Sequence, residues 1–149
     1  MSLTAQDKSI KIIEDILDSM GIAAVCEINE ETSTVEINSH DHALLIGKKG
    51  ENLRALQYIF NTIRRKQVPD SEFLALDVEG YKKERIEKVK RIAEEAAAEV
   101  LAYDRVKELP AMNAFERRQV HMVLADNPDL VTESVGLEPH RTIVIKKRK

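Results

Sequence analysis

Apolar residues repeat at helical spacing in three long stretches of this chain. Residues 10–20, 53–65 and 82–103 each place apolar side chains three or four positions apart, which puts them on one face of a helix. A fourth stretch, residues 113–124, lies shortly after Pro110, a residue that often precedes a helix start. The pattern therefore predicts four long helices.

The segments between these helices contain short runs that favour strands. Turn signals bound five such runs, at residues 23–28, 34–37, 73–78, 131–135 and 142–146. A turn at residues 29–33 joins the first two runs as a hairpin, and the last two runs are expected to pair. The element order predicts an α+β fold with two small domains, residues 1–80 and residues 81–149. The second domain includes the connecting helix 82–103.

Composition fits a soluble globular protein. The 149 residues are 43% hydrophobic and 33% charged, and no apolar run approaches the roughly 20 residues needed to cross a bilayer. Asp7, Lys8 and Lys11 interrupt the early apolar residues, so no signal peptide is expected. A single cysteine, Cys26, allows no internal disulfide and is typical of the reducing cytoplasm. In a strand, Cys26 is most simply a small core residue, with a reactive thiol as the lesser alternative.

Charge is distributed unevenly along the chain. The net charge of −3 argues weakly against a non-specific nucleic-acid binder. Residues 1–80 contain 8 basic and 14 acidic residues, a net charge of −6, whereas residues 81–149 contain 15 and 12, a net charge of +3. The basic residues 146–149 supply much of that excess. Any contact with nucleic acid is therefore expected at local sites.

Two glycines enclose two lysines directly after a short predicted helical turn at residues 42–46. Residues 47–50 read Gly-Lys-Lys-Gly, and the predicted helix 53–65 follows them. Glycine allows the backbone to turn sharply and to approach another backbone closely. The N-terminus of the following helix presents free N–H groups and a partial positive charge. Together these features predict a binding site for a sugar-phosphate backbone.

The loop and the element order together resemble a type II KH domain, whose elements follow the order α-β-β-α-α-β. In KH domains such a loop contacts the backbone of about four nucleotides. The resemblance implies phosphate contacts from four loop residues, Gly47, Lys48, Lys49 and Gly50. It implies a further contact from Arg54, and a groove for bases whose floor is formed by Ile46, Leu53 and Leu56 in front of the strand 73–78. The alternatives are core packing for the apolar residues and a solvated charge for Arg54.

Arg117 and His121 lie four residues apart, which places them on one face of the predicted helix 113–124. The sequence Pro-Ala-Met-Asn-Ala-Phe-Glu-Arg-Arg leads into this pair, and Glu-Ser-Val-Gly-Leu-Glu-Pro-His-Arg follows after a turn. The whole pattern resembles the R-three-H domain, an α/β domain that binds single-stranded nucleic acid. The resemblance implies contacts from Arg117 and His121, with Arg141 and Lys146 extending the basic surface. The alternative is structural, with Arg117 paired to an acidic neighbour and His121 capping a core.

A type II KH domain followed by an R-three-H domain resembles the Jag family of bacterial proteins, the SpoIIIJ-associated proteins also named KhpB or EloR. The resemblance implies a cytoplasmic regulator that binds single-stranded RNA, or single-stranded DNA, and is linked to cell elongation, division or sporulation. It implies no cofactor, no metal and no membrane insertion. The implied protein partners are a small single-KH protein and a second copy of the chain. Many members begin with a separate Jag domain, which this sequence lacks, so the functions of that part are not expected here.

Two other functions compete with RNA binding. His40, Asp41 and His42 lie close in sequence but lack the spacing of a metal site, and an Asp41 cap on the short helix explains them more simply. Catalysis is therefore not expected. The stronger alternative is an interaction or dimerisation module of a cell-envelope regulatory complex, because KH folds can dimerise and the first half is acidic. The two lysines between the glycines favour RNA.

Aromatic residues are few. Six could stack on bases: Tyr58, Phe60, Phe73, Tyr81, Tyr103 and Phe115. Most of them are expected in the core, so stacking is expected to be weak and affinity to depend strongly on salt.

Overall fold

The computed structural model describes residues 3–149, which form two compact units. The first unit runs to Lys82, and the second spans Lys83–Lys149. Each unit combines helices with its own three-stranded sheet and has its own buried core. This organisation confirms the predicted α+β class with two small domains.

The first unit contains every element that the apolar pattern predicts for it. Its helices are α1 (Ala5–Ser19), α2 (His42–Ile46) and α3 (Glu51–Gln67), and its strands are β1 (Val25–Asn29), β2 (Thr34–Asn38) and β3 (Ala75–Val78). A short 3₁₀ turn at Lys48–Gly50 separates α2 from α3. The observed order α-β-β-α-α-β agrees with that of a type II KH domain.

The sheet of the first unit is mixed. β2 lies between β1 and β3, antiparallel to β1 and parallel to β3. The parallel pair needs a crossover connection, which α2 and α3 supply. Val35 and Ile37 of β2 pair with Leu76 and Val78 of β3, and all four are fully buried. Helices α1 and α3 pack against these residues, so the core lies between one sheet and two helices.

The starts of two helices differ from the prediction, and in both cases the difference lies in the capping hydrogen bonds. The first helix is predicted from residue 10, but α1 begins at Ala5. Thr4 Oγ1 accepts a hydrogen bond from the Asp7 N–H, and the Asp7 carboxylate accepts one from the Thr4 N–H. The expected Asp41 cap on α2 is wrong. The Asp41 side chain makes no capping bond. Instead, the backbone N–H of Asp41 donates to Ser39 Oγ at 3.1 Å.

The second unit has two helices and a small antiparallel sheet. Its elements are α4 (Tyr81–Tyr103), whose first two residues belong to the first unit, β4 (Lys107–Glu108), α5 (Ala114–Leu124), β5 (Leu130–Val135) and β6 (Thr142–Lys147). β6 lies between β4 and β5, so the predicted pairing of the last two strands is confirmed. β4 was not predicted, because a strand of two exposed residues has no apolar alternation. Of the helices in residues 3–149, even the 23-residue α4 is too polar to cross a membrane.

Aliphatic side chains dominate the core of the second unit, and those that α4 buries in it are small. The buried face of α4 consists of valine and alanine, among them Val89 and Ala93. Val120 of α5 and the pair Ile143 and Ile145 of β6 pack in the same cluster. All five side chains are fully buried. This core holds α5 against the sheet, and so positions Arg117 and His121 of that helix.

Most of the aromatic side chains lie at the surface. Phe60 is fully buried and Tyr81 is half-buried. The other four are exposed over more than half of their surface: Tyr58, Phe73, Tyr103 and Phe115. The expectation that most aromatic residues belong to the core is therefore wrong, and rings are available for stacking.

Candidate nucleic-acid interface

The loop at residues 47–50 has a backbone that favours glycine at both ends. Gly47 adopts φ 71° and ψ −177°, a combination almost restricted to glycine, and Gly50 adopts φ 78°. Lys49 between them is also left-handed, with φ 54°. The Gly50 N–H donates to the Gly47 carbonyl oxygen at 3.3 Å. The chain therefore turns tightly from α2 into α3.

Two side chains outside the loop pack against it, and neither was predicted. Asn52, in the first turn of α3, donates from Nδ2 to the Leu44 carbonyl oxygen at 2.8 Å. A Cβ on Gly47 would lie 2.5 Å from Asn52 Cγ, so the glycine leaves room for this bond. Tyr81 packs on Gly50, where a Cβ would lie 3.0 Å from Tyr81 Cε1. A side chain at Gly47 would therefore displace Asn52, whereas one at Gly50 would need the Tyr81 ring to shift by a few tenths of an ångström.

The loop presents positive charge and hydrogen-bond donors. Lys48 and Lys49 are both exposed. Within the described chain, no side chain caps the N-terminus of α3, whereas capping boxes close α1 and α5. The 17-residue helix adds the partial positive charge of its N-terminus. Backbone N–H groups next to two ammonium groups can hold a phosphate.

The other residues predicted around the loop differ in exposure. Ile46 is half-buried, and Arg54 is exposed one helical turn beyond Gly50. Leu53 and Leu56 are only 2% and 7% exposed and belong to the core. The structure therefore matches the alternative of core packing for these two leucines. They support the surface from beneath, and Ile46 and Arg54 remain accessible.

Arg117 is buried and paired with an acidic residue. Only 7% of its surface is exposed. Nη1 donates to the Met112 carbonyl oxygen at 2.6 Å, and Nη2 forms an ion pair with the Glu138 carboxylate. The Glu138 side chain is itself 59% exposed. The structure therefore matches the alternative in which Arg117 pairs with an acidic neighbour. A nucleic acid would reach this guanidinium only after Glu138 moves.

His121 and Arg141 meet at Ser134. His121 Nδ1 lies 2.7 Å from Thr132 Oγ1, and Nε2 lies 3.1 Å from Ser134 Oγ. Arg141 donates from Nη1 to the Gly136 carbonyl oxygen at 2.8 Å and from Nη2 to the Ser134 carbonyl oxygen at 3.4 Å. Both side chains are half-buried. The structure therefore brings these two predicted residues together at one end of β5.

Lys146 is not part of this group. Its Nζ lies 2.9 Å from Glu133 Oε1. Side chains alternate between the two faces of a strand, so Glu133 faces away from Thr132 and Ser134, which contact His121. Lys146 lies on that opposite face with Glu133. The structure therefore does not support the expectation that Lys146 extends the basic surface around His121.

The residues considered for other chemistry are placed in ordinary surroundings. Within residues 3–149, no three His, Cys, Asp or Glu side chains are grouped so that they could hold a metal ion. His42 Nδ1 lies 3.3 Å from the Ser39 carbonyl oxygen. Burial raises the pKa of the Cys26 thiol to about 11, and the Glu14 carboxylate adds to the rise. Near neutral pH this thiol is therefore protonated and a poor nucleophile.

Comparison with known proteins assigns a domain type to each part of the chain. Residues 9–72 match the family model described as the KhpA/KhpB KH domain. Residues 87–147 match the family model of the R-three-H domain. The chain is therefore of the class that carries a KH domain followed by an R-three-H domain.

Relatives with assigned names align along nearly the whole chain. The chain is 33% identical to RNA-binding protein KhpB of Clostridium symbiosum over 98% of its own length and 68% of that protein. Identity to RNA-binding protein KhpB of Lactiplantibacillus plantarum is 32%, over 90% of this chain and 42% of the relative. Identity to the Bacillus subtilis protein of the same name is 26%, over 92% and 68%. The chain belongs to the KhpB family, which confirms the resemblance drawn from its motifs.

Proposed function

We propose that this protein binds single-stranded RNA and that the loop at residues 47–50 holds the sugar-phosphate backbone. The loop carries the proposal, because glycine-specific backbone, two exposed lysines and an uncapped helix N-terminus in the described chain converge there. Backbone N–H and ammonium groups hold phosphates, and unpaired bases lie against Ile46, with Arg54 at the next turn. The relatives' name, RNA-binding protein, supports the same function.

The second unit extends the contact with the strand. His121 and Arg141 offer an imidazole and a guanidinium within one small area. Arg117 joins them when a phosphate replaces the Glu138 carboxylate, because both anions suit the same guanidinium fork. RNA binding in this unit therefore competes with an internal ion pair.

The same proposal includes the setting in which the protein acts. It acts by binding and not by catalysis, in the bacterial cytoplasm, as a post-transcriptional regulator linked to cell elongation, division or sporulation. A small single-KH protein is its proposed partner, supported by a KH family model that KhpA and KhpB share. A second copy of the chain is the other candidate partner, and single-stranded DNA is the other candidate ligand. The alternative function is an interaction module of a cell-envelope complex.

Titration of a fluorescently labelled single-stranded RNA pool tests the role of the loop. Lys48→Asp/Lys49→Asp is expected to weaken binding by about tenfold or more, because two cations become anions beside the phosphates. Lys8→Asp/Lys11→Asp is the matched control, since it makes the same change of charge on exposed positions of α1. The control should stay within about threefold of the wild type, because only long-range charge changes. Equal binding by the loop variant and the wild type would contradict the proposal and favour the interaction module.

Glu138→Gln tests the role of the second unit in the same assay. Removing the carboxylate that occupies Arg117 is expected to raise RNA affinity by about twofold to fivefold. Arg141→Ala is expected to lower it, since one guanidinium is lost. If neither substitution changes the affinity, RNA binding belongs to the first unit alone.

A further inference from the structure

The first unit contains a pocket that none of the loop residues 47–50 line. Its walls are the first two turns of α1, the hairpin between β1 and β2, and the segment before β3. Arg64 of α3 also lines it, and we refer to it as the Arg64 pocket. Its volume is about 390 Å³. Ligand sites usually measure about 300–1,000 Å³, so the size of this pocket suits a small metabolite.

Arg64 is a buried cation, with only 4% of its surface exposed. Nε donates to Ser9 Oγ at 2.9 Å, and Nη1 donates to Asn61 Oδ1 and to the Glu72 carbonyl oxygen. Among residues 3–149, no carboxylate forms an ion pair with Arg64. Burial lowers the pKa of Arg64, yet the group stays charged near neutral pH because its ordinary pKa is so high. Neutral oxygens offset only part of the cost of burying this charge.

The third guanidinium nitrogen of Arg64, Nη2, donates no hydrogen bond within the described chain. Every buried side-chain nitrogen and oxygen in that part of the chain has a partner, so Nη2 borders accessible space. In the planar guanidinium, one N–H of Nη2 runs parallel to the N–H of Nε. The Nε group donates to Ser9, which lines the pocket. Nη2 therefore presents a free donor and a positive charge to the Arg64 pocket.

The start of α1 adds further donors to the same pocket. Ala5 and Gln6 form part of its wall. The capping box of α1 uses the N–H groups of Thr4 and Asp7, and not those of Ala5 and Gln6. The first N–H groups of a helix have no acceptor within the helix, and the N-terminus carries a partial positive charge. A carboxylate or phosphate could therefore bind between this helix start and Arg64.

Two exposed carboxylates line the Arg64 pocket as well. Glu30 Oε1 accepts a hydrogen bond from Gln6 Nε2 at 2.7 Å. The Glu72 carboxylate forms no ion pair with any residue in the range 3–149. These two charges repel a polyanion such as RNA, but they suit an ammonium group. Ile28 and Leu74 are half-buried and add apolar surface.

We propose that the Arg64 pocket binds a free α-amino acid with an aliphatic side chain. The carboxylate of the ligand pairs with Arg64 Nη2 and the first N–H groups of α1. Its ammonium group pairs with the carboxylates of Glu30 and Glu72, and its side chain lies against Ile28 and Leu74. Each kind of group in the pocket then has a complement, which neither a simple anion nor an RNA strand provides. This inference goes beyond RNA binding at the loop and does not depend on it.

Calorimetric titration of the whole chain at about pH 7 with three matched small molecules tests the inference. L-leucine carries both charges, L-leucinamide lacks the carboxylate, and 4-methylpentanoate lacks the ammonium group. L-leucine is expected to bind with a dissociation constant of roughly 1 mM or below. Each of the other two should bind at least about tenfold more weakly, because it leaves charged groups of the pocket unpaired.

Two results of this titration would overturn the inference. One is the absence of L-leucine binding up to about 10 mM, well above the expected dissociation constant. The other is equally tight binding of 4-methylpentanoate or inorganic phosphate, which would show a simple anion site. Neither result bears on RNA binding by the loop, because the RNA titration measures that separately.

Substitutions locate the binding site. Glu72→Gln is expected to weaken L-leucine binding about fivefold or more, because the ammonium group loses a charged partner. Glu31→Gln is the matched control, since Glu31 is exposed in the same hairpin as Glu30 and does not line the pocket. It should bind like the wild type. Equal binding by Glu72→Gln and the wild type would overturn the inference.

Arg64→Lys keeps the positive charge but loses the guanidinium fork, so it should weaken L-leucine binding about tenfold or more. Circular dichroism shows whether this variant is folded. Amide chemical shifts of the wild type give a readout that needs no substitution. L-leucine should shift the signals of residues 5–9 and 71–74, which surround the pocket. Saturable binding that shifts only signals elsewhere in the chain would overturn the inference.

Discussion

Gly47 has to meet two constraints, a positive φ of 71° and the space taken by Asn52. Gly47→Ala is expected to lower the free energy of unfolding by about 3 kcal/mol, because the backbone becomes strained and the Asn52 bond to Leu44 is displaced. Gly21→Ala is the matched control, since Gly21 has φ 73° and an added Cβ would have nothing within 4 Å. It should lose about 1 kcal/mol. Urea denaturation measures both values, and equal losses would contradict the packing argument.

Cys26 is expected to react slowly in the native protein. Burial, with a smaller contribution from the Glu14 charge, raises the pKa of its thiol from 9.0 to about 11. The thiolate fraction therefore stays small until the pH approaches that value, and iodoacetamide at about pH 8 should label native protein at least about tenfold more slowly than urea-unfolded chain. Mass spectrometry follows the labelling. Equally fast labelling of native and unfolded protein would show that the thiol is neither protected nor shifted.

The shape of the loop was predictable because its motif is local. Gly47 and Gly50 were predicted from their spacing, because the loop between them depends on neighbouring residues. The partner of Arg117 was not identified, because Glu138 lies 21 residues away across a strand and a turn. Asn52 and Tyr81 were missed for a similar reason, since only the folded chain shows which side chain fills the space beside a glycine.

At the scale of elements, one carboxylate stabilises the start of α5 in two ways. Glu116 accepts a hydrogen bond from the Asn113 N–H at 3.1 Å and pairs with Arg85 Nε at 2.8 Å, and its side chain is 5% exposed. Glu116→Ala is expected to cost about 3 kcal/mol of stability, because it removes a buried ion pair together with a helix cap. Glu99→Ala removes only the exposed pair with Lys107 and should cost less than about 1 kcal/mol. Similar melting temperatures for the two variants would contradict this role of Glu116.

The apolar pattern predicted the long helices and strands well, because each of them buries one face. It failed where other forces set the structure. The start of α1 depends on the Thr4 capping box, which carries no apolar signal. β4 is held by backbone pairing with β6 through two exposed residues. Exposed rings such as Tyr58 and Phe73 could not be told from core residues, since hydrophobicity alone does not reveal which face of an element stays open.

At the scale of the whole molecule, the net charge of −3 means that long-range attraction does not bring RNA to the protein. Local contacts with about four phosphates should still release counterions, so affinity is expected to fall roughly fiftyfold between about 50 and 200 mM salt. Titration at several salt concentrations gives the slope. An affinity that stays constant over this range would show that phosphate contacts do not hold the complex.

The central claim is that the loop at residues 47–50 and the start of α3 hold the RNA backbone. Backbone amide chemical shifts of isotope-labelled protein, followed during titration with single-stranded RNA, test it most directly. The largest changes are expected from Gly47 to Leu53, the loop and first turn of α3 that the account places against the phosphates. A smaller set is expected from Ser134 to Arg141 in the second unit. Saturable binding with unchanged shifts in the loop would contradict the account, because the RNA would then be held elsewhere.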